Sequence, residues 1–90
     1  MLEIFYTSQF KKDYKKAKKR RKDLDQLKKV IVMLQNQQIL PKKYRDHRLT
    51  GDYVGFKECH ISPDWLLIYR IDNDRLILTL ARLGSHSELF

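Results

Sequence analysis

The spacing of apolar residues changes character near residue 53, and that change limits the folds open to this chain. Before it, Leu24, Leu27, Ile31 and Leu34 recur at steps of three and four, with Val30 and Met33 widening the stripe. Such a stripe is one face of a helix laid on a core. Phe10, Tyr14 and Ala17 share the helical spacing, so a first helix is expected over residues 8–20, with Ser8 as its cap. Asp23 is placed to cap the second helix. After the change, residues 53–61, 65–71 and 76–83 form three runs rich in β-prone residues. Ser62-Pro63-Asp64 and Asp72-Asn73-Asp74 supply turn chemistry between them.

Runs joined this tightly pair antiparallel. The second run, Trp65-Leu66-Leu67-Ile68-Tyr69, and the core of the third, Leu76-Ile77-Leu78, are apolar on both parities, as in central strands covered on at least one face. Residues 2–7 read as a further strand and residues 36–46 as a loop, with Pro41 stopping any helix there. The expectation is an α+β fold: two N-terminal helices packed on a small, mainly antiparallel sheet. With 90 residues and 42% apolar content, one domain spanning residues 1–90 is expected rather than a disordered chain.

No apolar run approaches the ~20 residues of a membrane span, and residues 1–4 do not begin a signal peptide. The single cysteine, Cys59, cannot form an internal disulfide. The chain reads as cytoplasmic with no membrane association.

Charge narrows the partner. Lys and Arg number 19 against 11 acids, a formal net charge of +8, which attracts polyanions. Nine of the basic residues fall within residues 11–22. Interleaved with Tyr14 and Ala17 at helical spacing, they form the outer face of an amphipathic helix rather than a disordered tail.

The polar residues able to do chemistry gather in the second half. His47, His60 and His86 each lie near an acid: Asp46, Glu58 and Glu88. Strand alternation sets Glu58 and His60 on one face. Cleavage of RNA without a metal needs groups of this kind. A base takes the proton of a ribose 2′-hydroxyl, and the oxygen attacks the adjacent phosphorus. A cation stabilises the phosphate, and an acid protonates the departing 5′-oxygen. Histidine serves as acid or base near neutrality, and Trp65, if exposed, could stack a base. Each has a plainer reading: an exposed or structural histidine, a core Trp65, an Asp64 that only forms the turn. The histidine spacings match no short metal-binding motif, so no metal or other cofactor is expected. The residues alone point to a basic RNA-binding fold with possible acid–base chemistry.

Three blocks sharpen this. Residues 44–51, with Asp46-His47-Arg48-Leu49-Thr50-Gly51, resemble the D-H-x-L-x-G segment of the RelE/YafQ-like type II toxins. Residues 55–69 resemble that family's central block, in which H-x-x-P-D precedes an apolar strand ending in Tyr. Residues 82–90 resemble its G-[ST]-H-x-x-L-F ending. The resemblance implies a ribosome-dependent mRNA interferase that cuts mRNA in the decoding site. It also implies neutralisation by a RelB/DinJ-like antitoxin, with operator DNA bound only by the toxin–antitoxin complex.

Carried over by position, His86 is the candidate general acid. His47, His60 and Asp64 fall at active-site positions. Glu58 keeps a carboxylate where some relatives have Asp. Trp65 and Phe90 fall where substrate is held, and Lys57 and Arg82 join them as candidate substrate contacts. Lys11, Lys15, Lys18 and Lys19 of the basic helix would meet rRNA phosphates. The rivals are a non-catalytic nucleic-acid- or ribosome-binding module, and an interaction protein whose basic face docks an acidic partner.

Overall fold

The computed structural model describes residues 1–90. In chain order it has β1 (Glu3–Tyr6), α1 (Ser8–Lys19), α2 (Leu24–Gln35), β2 (His47–Arg48), β3 (Lys57–Ser62), β4 (Trp65–Asp72), β5 (Ile77–Gly84) and α3 (His86–Leu89). The strands form one sheet in the order β1-β5-β4-β3-β2. All neighbours are antiparallel except β1, which runs parallel to β5. This is the expected α+β fold with a mainly antiparallel sheet. No helix is long and apolar enough to cross a membrane.

Both long helices cover one face of the sheet. Phe10 and Ala17 of α1 and Leu27, Val30 and Leu34 of α2 join Cys59, Ile61, Trp65, Leu67, Tyr69, Leu78 and Leu80 in the main core. The opposite face carries a smaller cluster, Leu66, Ile68 and Leu89, flanked by Leu49, Tyr53, Phe56 and Ala81. That division explains why β4 is apolar on both parities: its odd residues face the helices and its even residues face the second cluster. Leu66, Leu67 and Ile68 are each fully buried, and burial of one such side chain stabilises by about 1.5–3 kcal/mol.

Several boundaries differ from expectation. Thr7, not Ser8, caps α1: its hydroxyl accepts from the Phe10 amide at 3.0 Å and donates to the Ala81 carbonyl at 2.8 Å. The helix thus starts where β1 lets go of β5. Asp23 caps α2 as expected, accepting from the Gln26 amide. The first of the three β-prone runs, expected over residues 53–61, becomes a strand only from Lys57. Gly51–Tyr53 is a tight helical turn, and Gly55 has φ +90°, a left-handed value no strand carries. The loop over residues 36–46 contains a similar turn at Lys42–Tyr44, held down by buried Leu40 and Tyr44. Neither the two-residue β2 nor the four-residue α3 has an apolar period long enough to read.

Cys59 is completely buried in the main core. Burial pushes its thiol far above the ordinary range, and the charges of Asp46 and Glu58 add to the effect. Because only the thiolate is reactive, a thiol reagent is expected to label Cys59 no faster than the protein unfolds. Stoichiometric labelling should appear on adding denaturant. Rapid labelling of the native protein would contradict this placement.

Candidate active site

The chemistry-bearing residues lie mainly on the face that the long helices leave free. On β3, Glu58 and His60 point there, opposite Ile68 and Leu66 of β4. His47 of β2 pairs with Glu58. One oxygen of Glu58, Oε1, lies 3.1 Å from His60 Nε2 and 3.7 Å from His47 Nε2. Glu58 is buried while His47 is half exposed, and the two imidazole rings are 6.3 Å apart.

The remaining ring nitrogens are also placed. His47 Nδ1 lies 2.7 Å from the Arg45 carbonyl. A carbonyl only accepts, so Nδ1 carries hydrogen and a neutral His47 presents a bare Nε2. His60 Nδ1 faces the Pro63 carbonyl at 3.3 Å, so both nitrogens of His60 face acceptors.

A second group stands across the sheet. His60 is opposite Leu66, and Leu66 is opposite Gly84 at the end of β5. Two strand spacings therefore separate His60 from Gly84, roughly 10 Å between backbones. After Gly84 the chain turns into α3, whose Leu89 packs on Leu66 and Ile68. This brings His86 and Phe90 to the histidine face. Both are exposed, with ring centroids 4.9 Å apart, and Tyr53 meets Phe90 edge-on at 5.5 Å. Asp64, in the β3–β4 turn, accepts from the His86 amide at 3.3 Å. His47, Glu58 and His60 thus form one group, and Asp64, His86 and Phe90 another on the same side.

Trp65 and Lys57 do not join them. Trp65 is 3% exposed and belongs to the main core under the helices, so it cannot stack a base from solvent. Lys57 precedes Glu58 on β3, so the pleat turns it to the helix side. There its ammonium is 2.9 Å from Asp46, which also accepts from the buried Tyr69 hydroxyl. Lys11, Lys15, Lys18 and Lys19 are exposed on α1, and Lys11 and Lys15 rim an apolar groove with Ile4, Tyr6, Tyr14 and Ile31. They do not meet the histidine face.

Arg82 is placed by a residue the sequence did not reveal. Buried Asp13 of α1 accepts from Arg82 Nε at 2.8 Å and from the Leu83 amide at 2.9 Å. Its carboxylate takes over the edge of β5 beyond the point where β1 ends. The hydrogen bond to Asp13 raises the guanidinium pKa further above its ordinary value.

The capping role of Glu88, read only as an acid near His86, was missed too, although Ser85-x-x-Glu88 is a readable capping-box pattern. The Ser85 hydroxyl accepts from the Glu88 amide, while Glu88 Oε1 accepts from the Ser85 amide at 3.0 Å. Glu88 Oε2 lies 2.6 Å from Lys16 Nζ and 3.1 Å from Arg20 Nη1. The Lys16 hydrogen bond first, then the Ser85 amide, lower the Glu88 pKa from the usual 4.5 to about 2. A depressed carboxyl stabilises the fold above its unfolded pKa, and that contribution is lost as pH falls through the folded one. The stability difference between wild type and Glu88→Gln is therefore expected to be complete above pH 4.5 and to shrink towards pH 2. Urea melts at stepped pH check this; a gap unchanged at pH 2.5 would contradict it.

Known proteins give the arrangement a context. The family described as the bacterial toxin of type II toxin–antitoxin systems, YafQ, matches residues 2–90. The mRNA interferase toxin YafQ of Escherichia coli (strain K12) is 43% identical over 89 residues, covering 98% of this chain and 95% of that protein. The crystal structure of a metal-bound toxin from Helicobacter pylori superposes with a TM-score of 0.95 at 48% identity, all of both chains being covered. A chain of the Escherichia coli DinJ–YafQ complex does so with a TM-score of 0.90 at 40% identity, covering 100% of this chain and 99% of that one. As for a metal here, Glu58 Oε1 lies 3.7 Å from His47 Nε2 and 3.1 Å from His60 Nε2, so the three side chains contact one another, and no group of three His, Cys, Asp or Glu is arranged to hold an ion. By match and by fold, this chain belongs to the YafQ family of bacterial type II toxins.

Proposed function

We propose that residues 1–90 form one toxin domain, an endoribonuclease that cuts mRNA in the ribosomal decoding site. It acts in the cytoplasm by acid–base catalysis independent of metal, and a DinJ-type antitoxin neutralises it. The toxin–antitoxin complex, rather than the toxin alone, binds operator DNA. The observation that carries the enzymatic reading is the pairing of two acid–base groups on the helix-free face. His47, Glu58 and His60 stand on one side, and His86 with Phe90 on the other.

In this mechanism His47 Nε2 takes the proton of the ribose 2′-hydroxyl; the Arg45 carbonyl, accepting from Nδ1–H, orients the ring, and Glu58, 3.7 Å from Nε2, stabilises the imidazolium that forms. His60 holds Glu58 in place. The 2′-oxygen attacks phosphorus in line while Arg82, fixed by Asp13, faces the developing charge. His86 protonates the departing 5′-oxygen, and Phe90 supports its ring. Asp64 braces the start of α3 through the His86 amide. The lysines of α1 contact rRNA phosphates, which set position without reading sequence.

The partner reading draws on the DinJ–YafQ complexes of similar chains and on the net charge of +8, which suits an acidic antitoxin segment. Single-turnover cleavage on programmed ribosomes tests the function. Cleavage is expected at the decoding site, and it should survive EDTA when ribosomal magnesium is held constant. Ribosome binding without cleavage would favour the non-catalytic reading. Activity lost to chelation and restored by zinc alone would overturn metal independence.

A further inference from the structure

We propose that Glu88 is a positioning residue that sets His86 for the reaction, an inference that rests on the nuclease reading above. The α3 helix is four residues long, a single turn that cannot hold itself in water. Leu89 anchors it by burial against Leu66 and Ile68, Asp64 accepts from the His86 amide and the Tyr53 hydroxyl donates to the Leu89 carbonyl, but none of these contacts ties the turn to α1, which leaves it some freedom to swivel. Glu88 removes that freedom from two sides. One oxygen binds the Ser85 amide and closes α3 upon itself; the other is held by Lys16 and Arg20 of α1, 72 and 68 residues away in sequence. The fit is close: a Cβ at Gly84 would lie 3.3 Å from Glu88 Oε1 and 3.3 Å from Leu89 Cδ2.

His86 and Phe90 are i, i+4 neighbours on this turn, and both rings are exposed. Their placement therefore follows that of the turn. Exposed ion pairs contribute little to stability, so the consequence of Glu88 is geometric. A misplacement of about 1 Å in a reacting group costs on the order of 100-fold in rate.

The test uses the whole chain with Glu88→Gln, Glu88→Ala and the double variant Lys16→Gln/Arg20→Gln. Gln keeps an acceptor for the Ser85 amide but loses the charge; Ala loses both. At saturating ribosomes the single-turnover rate is expected to fall about 10-fold for Gln and about 100-fold for Ala. The double variant should match Glu88→Gln, and all three variants should stay folded at the assay temperature, losing no more than the stability that the Glu88 contacts contribute above pH 4.5. The ring signals of His86, shifted by Phe90 in the wild type, should move towards those of an unfolded peptide, while those of His47 and His60 stay in place.

Unmoved His86 signals in all three variants would overturn the proposal, as would moved signals with an unchanged rate. Should the wild type leave mRNA intact, the nuclease reading fails on its own. The NMR comparison still decides whether Glu88 places His86: moved signals uphold it and unmoved ones overturn it.

Discussion

Replacing His86 with Gln is expected to lower single-turnover cleavage by about 10²–10⁴-fold, the usual loss for a general acid, and to cost no more than about 1 kcal/mol of stability. His86 is exposed. Its ring meets Phe90, also exposed, and makes no side-chain hydrogen bond that Gln would break. The contact with Asp64 comes from the backbone and survives the change. Gln retains size and polarity but has no proton to give to a leaving oxygen. Ribosome and antitoxin binding should therefore persist while toxicity disappears. Measuring in single turnover keeps product release from masking the chemical step. A folded variant that cuts within a few-fold of wild type would remove His86 as the acid. One that melts far below wild type would make the residue structural.

Trp65→Ala should act in the opposite way. Trp65 is 3% exposed in the core beneath α1 and α2, and truncating a large buried aromatic typically costs about 3–5 kcal/mol. For a domain of this size that lowers the melting temperature by more than about 12 °C. Trp65→Phe should recover a good part of the loss and leave the cleavage rate of folded protein close to wild type. Urea denaturation gives the answer directly. A loss below 1 kcal/mol, together with weakened ribosome binding, would return Trp65 to the substrate-contacting role expected from its position in the sequence.

These outcomes separate what local pattern can reveal from what it cannot. The spacing of Leu24, Leu27, Ile31 and Leu34, and the turns at Ser62-Pro63-Asp64 and Asp72-Asn73-Asp74, are local signals, and they led to the right elements. Alternation along β3 joined Glu58 to His60. The same alternation puts Lys57 on the opposite face and sets Trp65 with Leu67 and Tyr69, the core reading that stood beside its carried-over substrate role.

Other features could not be read in this way. The parallel docking of β1 on β5 depends on where α1 and α2 send the chain. Asp13 with Arg82, and Glu88 with Lys16 and Arg20, join residues about 70 apart, and no local period encodes such a contact. The cap of α1 is Thr7 rather than Ser8 because the Thr7 hydroxyl, while accepting from the Phe10 amide, also donates to the Ala81 carbonyl, a partner visible only once the sheet is assembled.

The chemistry of the severed ends tests the central claim most directly. Attack by the 2′-oxygen, with His86 protonating the 5′-oxygen, must leave a 2′,3′-cyclic phosphate, or the 3′-phosphate it hydrolyses to, on one fragment and a 5′-hydroxyl on the other. Mass spectrometry of mRNA cut on programmed ribosomes is expected to find those ends in the wild type. Fragments ending in a 3′-hydroxyl and a 5′-phosphate would mean that water, not the ribose, attacks phosphorus, and would contradict the mechanism assigned to His47, Glu58 and His86.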